Sequence, residues 1–213
     1  MSDAEPRRRP QQERSKSRVE AILDIALGLI IEVGAEEFAM REVARRVGVP
    51  ISSVYQYFPS KTAIIRELAK RNFEHAQVAF EKELATLLVE TNGRPTVERA
   101  VDRLVEAHYD FQRENPAAHA IWAAAQADPV LRALDVTDTK RSAELITPLI
   151  MIVLAPMDPS EAFALALLFA EVTSGTVRLA LAVASPLRDQ MIGQLKVMMI
   201  AMMETVQRKH GRQ

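Results

Sequence analysis

The chain has 213 residues, 48% of them apolar, with 7 glycines, no cysteine and a formal net charge of −1. The absence of cysteine excludes disulfides and thiolate metal sites, and the polar start MSDAEPRRRPQQERSK has no apolar run of the kind a signal peptide needs, so the cytoplasm is the expected compartment. Scarce Gly with abundant Ala, Leu, Glu and Arg points to an all-α protein, long enough for a small domain joined to a larger one.

The net charge hides an asymmetry. Residues 1–73 hold 13 Lys/Arg and 10 Asp/Glu, while residues 74–213 hold 14 and 18, so the front is +3 and the rear −4. Such a split suggests a front segment that meets a polyanion.

In chain order, residues 1–14, rich in Pro, Arg and Gln, are expected as a disordered basic arm. Its Arg7–Arg9 run is either solvated or in reach of DNA. Ser17 and Glu20 read as a capping box for a first helix, in which Val19, Ile22, Leu23, Ala26, Ile30 and Val33 recur at helical spacing up to Gly34. In AMREVARRV, Met40, Val43, Ala44 and Val47 make one apolar face. Gly48 stands where a left-handed cap ends that helix, Pro50 near the start of the next, and Pro59 after ISSVYQYF. Two short helices across a tight Gly turn make a helix-turn-helix.

The second short helix divides into faces. Ile51, Val54 and Phe58 can pack inward, leaving Ser52, Ser53, Gln56 and Tyr57 outward with Tyr55 at the flank. Gln can pair with adenine N6/N7, Ser can approach base edges or phosphates, and Tyr hydroxyls donate to phosphate oxygens. Ser60 then caps a further helix with Lys61 in its first turn, where free backbone N–H groups and positive charge suit a phosphate.

Further on, Asn115-Pro116, Asp128-Pro129, Asp158-Pro159 and Ser185-Pro186 each pair an N-cap residue with Pro at a helix start. With Pro95 they predict helices over 61–90, 95–114, 116–127, 129–154, 159–184 and 186–208, the fourth kinked at Pro148. The run AFALALLFAEVTSGTVRLALAVA is long enough to cross a bilayer. Glu171 and Arg178 inside it cost several kcal/mol each there, so a buried helix and no membrane partner are expected.

The amphipathic first helix, the Gly turn, Y-x-Y-F and P-S-K at these offsets resemble the DNA-binding domain of the TetR family of transcriptional regulators, over about residues 15–65. The resemblance implies about nine helices: the arm 1–14, a three-helix helix-turn-helix DNA-binding domain 15–60, and a larger helical bundle 61–213 for ligand binding and dimerisation. It makes Arg41 to Val47 the first motif helix and Ile51 to Phe58 the recognition helix. By the same resemblance Tyr55, Tyr57 and Lys61 contact phosphates, and Pro50, Ile51, Ser52, Ser53 and Gln56 lie in or beside the major groove, with Arg41 completing the DNA-binding set. Three positions depart from the usual pattern: Ala39 where Thr often caps, Pro50 where Ser is frequent, and Ser52 where Gly is frequent.

A helix this short specifies a genomic site only as part of a dimer on a pseudo-palindromic operator. The segment 159–184 is apolar nearly all round, and Ala162, Ala166, Ala170, Ser174 and Gly175 permit close approach. In 186–208, Leu187, Met191, Leu195, Met198, Met202 and Val206 form one stripe and Ile192, Met199 and Met203 a second. One stripe faces the protomer core and the other a partner in a homodimer, unless both are buried within a monomer.

The resemblance places an effector pocket among the middle helices. Val97, Val101, Leu104, Val105, His108 and Phe111 form an apolar stripe in which His108 is either a core residue or a ligand contact. Trp122 either fills the core or walls a cavity, and Glu171 and Arg178 either pair structurally or hold a polar ligand group. The expected function is a repressor released from its operator by a small-molecule effector. An activator of the same fold, or a helical ligand-binding or adaptor protein without DNA binding, are the rivals. Without Glu-x-x-His pairs, a glycine-rich phosphate loop or a cysteine nucleophile, no enzyme activity, catalytic residue, metal site or cofactor is expected.

Overall fold

The computed structural model describes residues 9–127, 129–154 and 156–210, with side chains from residue 15 onward except at 125–130. The described residues form nine helices: α1 (Arg9–Val33), α2 (Met40–Val47), α3 (Ile51–Tyr57), α4 (Lys61–Glu90), α5 (Val97–Glu114), α6 (Pro116–Ala127), α7 (Pro129–Val153), α8 (Pro159–Leu181) and α9 (Leu187–His210).

The first helix starts earlier than its apolar pattern. Arg9 to Arg14 belong to α1, so the expected disordered arm is corrected over 9–14; residues 1–8 of that arm lie outside the described residues. Gln, Glu, Arg and Lys are good helix formers, and Pro10 falls in the first turn, where its missing N–H costs nothing. Ser17 and Glu20 therefore sit inside the helix and form no capping box. Glu20 instead binds the Arg71 guanidinium of α4, with Nη2 donating at 2.9 Å.

Gly34, with φ +85°, ends α1, and Gly48, with φ +75°, ends α2. The N–H groups of Gly48 and Val49 both reach the Ala44 carbonyl at 3.0 Å, which satisfies the last orphan acceptors of α2 and fixes the turn into α3. A Cβ at Gly48 meets nothing within 4 Å, so Gly48→Ala carries only the left-handed backbone cost, about 1 kcal/mol. Thermal unfolding of that variant is expected a few degrees below wild type; an unchanged midpoint counts against a strained turn.

Two cores share helices. The front core joins Ile22, Ala26 and Ile30 of α1 with Val43 and Ala44 of α2, Val54 of α3 and Ile64 and Leu68 of α4, and it also takes Ile121 of α6 and Leu131 of α7. The rear core joins Leu87 of α4, Val101 and Val105 of α5, Ile146 and Ile150 of α7, Phe169 and Val177 of α8, and Leu195, Met199 and Met203 of α9. Helix α4 thus belongs to both.

Several helix starts use different caps from those expected. Thr96 caps α5, one residue after Pro95, accepting from the Arg99 N–H at 3.3 Å. The Asn115 amide donates to the Phe111 carbonyl at 2.7 Å and so serves the end of α5. The Ser185 hydroxyl donates to Asp189, and α9 begins at Leu187. Asp158 does cap α8, accepting from the Ser160 N–H at 2.9 Å, while Asp128 lies outside the described residues.

Helix α8 has the length and mean hydropathy (1.5) of a bilayer span, yet it lies against α5, α7 and α9. Its small residues serve the protomer: Ala162 and Ala166, expected to permit close approach, are buried in the rear core. On α9 the inward stripe is Ile192, Leu195, Met199 and Met203, so Leu195 changes sides relative to the expected stripes. Leu187, Val197 and Met198 remain exposed on α9, as do Leu168 and Leu179 on α8.

Candidate nucleic-acid interface and effector cavity

The short helix α3 is held by its inward side chains. Val54 and Phe58 are buried in the front core, and Ile51 is half-buried beside them. That anchoring turns Ser52, Tyr55 and Gln56 to the exterior at i, i+3 and i+4, one continuous face flanked by exposed Pro50. The two tyrosines exchange the expected roles. Tyr55 is the exposed one, whereas Tyr57 is half-buried against the front core, as is Ser53 in part.

Around this face the cations differ in their engagement. Glu42 binds both Arg45 and Arg46, at 2.6 and 2.8 Å, and Arg46 also binds Glu32 of α1 at 2.8 Å. These hydrogen bonds from Arg45 and then Arg46 draw the Glu42 carboxyl down to about 2. The ladder locks α2 onto α1 and occupies two of the three arginines of α2. Arg41 is exposed and has no ion pair among the described residues. The Ser60 hydroxyl accepts from the Ala63 N–H at 3.1 Å, capping α4 as expected. Lys61 folds back: its ammonium donates to the Glu36 carbonyl and lies 5.0 Å from the Phe38 ring centre. A phosphate contact from Lys61 requires it to leave that loop. Ala39 precedes α2 in extended conformation without a side-chain cap, as the missing Thr hydroxyl implies.

Behind this front lies a cavity of about 750 Å³ walled by α4 to α8. Its volume falls in the range of drug-sized ligand sites. Four of the five residues anticipated for an effector line it: His108, Phe111, Trp122 and Arg178. Glu171 does not; it is exposed on α8. The Arg178 guanidinium stacks 3.8 Å from the Trp122 ring centre and donates to the Ser174 hydroxyl at 2.8 Å. Partial burial lowers its pKa against the opposing pull of Asp135 and Glu171. Phe111 meets His75 edge to face at 5.5 Å.

Three buried polar atoms in the described residues have no hydrogen-bond partner: His108 Nε2, Asp138 Oδ1 and Thr173 Oγ1. All three residues line this one cavity. Desolvation, then the Arg178 charge, lowers His108 to about 4, so its ring is neutral near pH 7. Desolvation, then Asp135, raises Asp138 to about 6. Neither Asp138 nor Thr173 was singled out from sequence. A signal existed for Asp138: on α7 Leu131, Asp135, Asp138, Ser142, Ile146 and Leu149 recur at helical spacing, so polar groups occupy half of an inward stripe.

The chain's relatives agree with this architecture. Residues 22–68 match the model of the bacterial regulatory proteins of the tetR family, and residues 95–206 that of the tetracyclin repressor-like C-terminal domain. Over 59 residues the chain is 41% identical to the HTH-type transcriptional repressor KstR of Rhodococcus jostii, covering 28% of each protein. It is 26% identical over 102 residues to the nucleoid occlusion factor SlmA of Glaesserella parasuis, 47% of each. The chain thus spans less than half the length of either curated relative. A TetR-family regulator from Streptomyces coelicolor superposes with a TM-score of 0.62 at 26% identity, over 89% of this chain and 99% of that one. With the two family models covering both the helix-turn-helix and most of the rear bundle, the chain belongs to the TetR family of bacterial regulatory proteins.

Proposed function

We propose that the protein is a cytoplasmic repressor that binds a pseudo-palindromic operator as a homodimer and leaves it when a small molecule fills the cavity. Residues 15–60 then act as the DNA-binding domain and 61–213 as the ligand-binding and dimerisation domain. One observation carries the reading: Ile121 both lines the cavity and packs in the front core. Helix α4 makes the same link, since its Ser60 cap adjoins α3 while Phe73 and His75 reach the cavity wall. A ligand that fits only one placement of α4 and α6 shifts the spacing of the two recognition helices, and its differential affinity for that placement sets how far.

On the DNA, Ser52 and Gln56 read base edges, assisted by Pro50, Ile51 and Ser53 at the groove. Arg41, Tyr55, Tyr57 and Lys61 hold phosphates. Gln56→Ala is expected to relax preference at one base position, worth about 1–3 kcal/mol of discrimination, whereas Tyr55→Phe and Lys61→Gln weaken binding to all sequences alike, and the loss of the Lys61 charge also flattens the salt dependence by about one phosphate. Unchanged affinity in both latter variants removes these groups from the phosphate set. The function itself is tested by selecting bound sequences from random DNA and then screening small molecules for release of the selected site. Absence of any preferred sequence defeats the operator reading, and ligands that bind without altering DNA affinity defeat the effector reading.

A further inference from the structure

Resting on the reading of the cavity as an effector site, we infer that its ligand is an organic amine, held as a monocation with at least one N–H and an apolar or aromatic body. The charge balance of the wall points there. Carboxylates toward the rim are already engaged: Glu83 with Arg103, Asp102 and Glu106 with Lys196, Asp110 and Glu114 with Arg113. Within the cavity Arg178 is the cation of α8, and Asp135 attracts it. The pull of the exposed Arg141 side chain on Asp138 is outweighed by desolvation and by Asp135.

The hydrogen-bond balance agrees. An ionised carboxylate only accepts, so Asp138 Oδ1 lacks a donor, and an ammonium N–H supplies both the donor and the charge. Thr173 Oγ1 accepts as well, and so does His108 Nε2 when its proton is on Nδ1. A carboxylate ligand meets like charge at Asp138, and a neutral alcohol leaves that charge uncompensated. The body of the ligand has Phe111 and Phe169 for apolar contact and cation–π attraction.

Trp122 is the only tryptophan of the chain and stands in the cavity wall, so its fluorescence reports occupancy. The test titrates wild-type protein with four matched probes: 3-phenylpropylamine, its N-trimethyl quaternary analogue, 3-phenylpropanol and 3-phenylpropanoate. The primary amine is expected to bind about tenfold or more tighter than the alcohol and the acid, and about threefold or more tighter than the quaternary ion, which has the charge without the N–H. Asp138→Asn is expected to erase the preference for amine over alcohol, chiefly by weakening binding of the amine. Tightest binding by the carboxylate, an amine preference that survives Asp138→Asn, or no amine binding at millimolar concentration overturns the inference. The wild-type comparison stands whether or not the variant folds. Operator release is measured separately: amine selectivity without release keeps the ligand class and removes the effector role, and release by neutral or anionic compounds alone does the reverse.

Discussion

Asp138→Asn is expected to raise the free energy of unfolding at pH 7 by about 2–3 kcal/mol, an unusual gain for a single polar substitution. The folded pKa of Asp138 is raised from 3.8 to about 6, so its stabilising contribution is complete below 3.8 and is lost as pH rises through 6. At pH 7 the buried charge is therefore a cost that Asn does not carry. His108 acts oppositely. Its folded pKa is lowered from 6.5 to about 4, so it costs nothing above 6.5 and destabilises progressively as pH falls toward 4. Across the window of about pH 4–6 the two slopes oppose each other in the wild type. Removing one exposes the other: Asp138→Asn loses stability on acidification relative to wild type, by about 2 kcal/mol between pH 6.5 and 4, and His108→Gln gains a similar amount. Urea unfolding of the three proteins across pH 4–7 checks this, and parallel curves for all three defeat it. Groups elsewhere in the chain cancel in the comparison.

A stability cost concentrated on one cavity is what a ligand site looks like before its ligand arrives, because buried polar atoms without partners cost about 1–3 kcal/mol each and persist where binding offsets them. How far this was legible in the sequence follows from pattern. His108 was visible because it interrupts an otherwise apolar stripe, and Trp122 because it is unique. Asp138 was not, since three polar residues in an inward stripe of α7 read as an ordinary solvated face until α8 is known to cover them. Glu171 misled because a helix apolar on all sides gives no hint of which side is open. Arg178, seven residues on, reaches Trp122 through a long side chain that Glu171 lacks.

The helix-turn-helix was legible almost residue by residue, since its apolar spacing, Gly48 and Ser60 are local signals whose geometry tertiary packing did not override. The start of α1 was not. A stretch of Gln, Glu, Arg and Lys has helix propensity but no apolar period, so pattern reading stops at the first buried residue rather than at the first helical one. The roles of Tyr55 and Tyr57 depended on where α1 and α2 lie around a helix of seven residues, which periodicity within that helix does not determine.

If the proposed homodimer forms through α8 and α9, the paired substitution Val197→Glu with Met198→Glu is expected to convert it to a monomer and to lower affinity for the selected operator by about a thousandfold or more, toward its non-specific level. Both side chains are exposed in the protomer, at 60% and 50%, so neither change strikes the core. Together with Leu187 on α9, and with Leu168 and Leu179 on α8 at 49% and 59% exposure, they leave an apolar face on the last two helices. A two-fold interface uses each residue twice, so two glutamates per chain place four carboxylates in one desolvated contact, a cost beyond what such a surface gains by burial. Retained helicity by circular dichroism shows that the fold survives, while sedimentation reports the oligomer and a binding titration the affinity for the selected operator. A variant that stays dimeric with unchanged affinity puts the interface elsewhere. One that becomes monomeric yet still binds the operator tightly separates dimerisation from recognition, because a seven-residue recognition helix would then carry the specificity that the proposed arrangement divides between two.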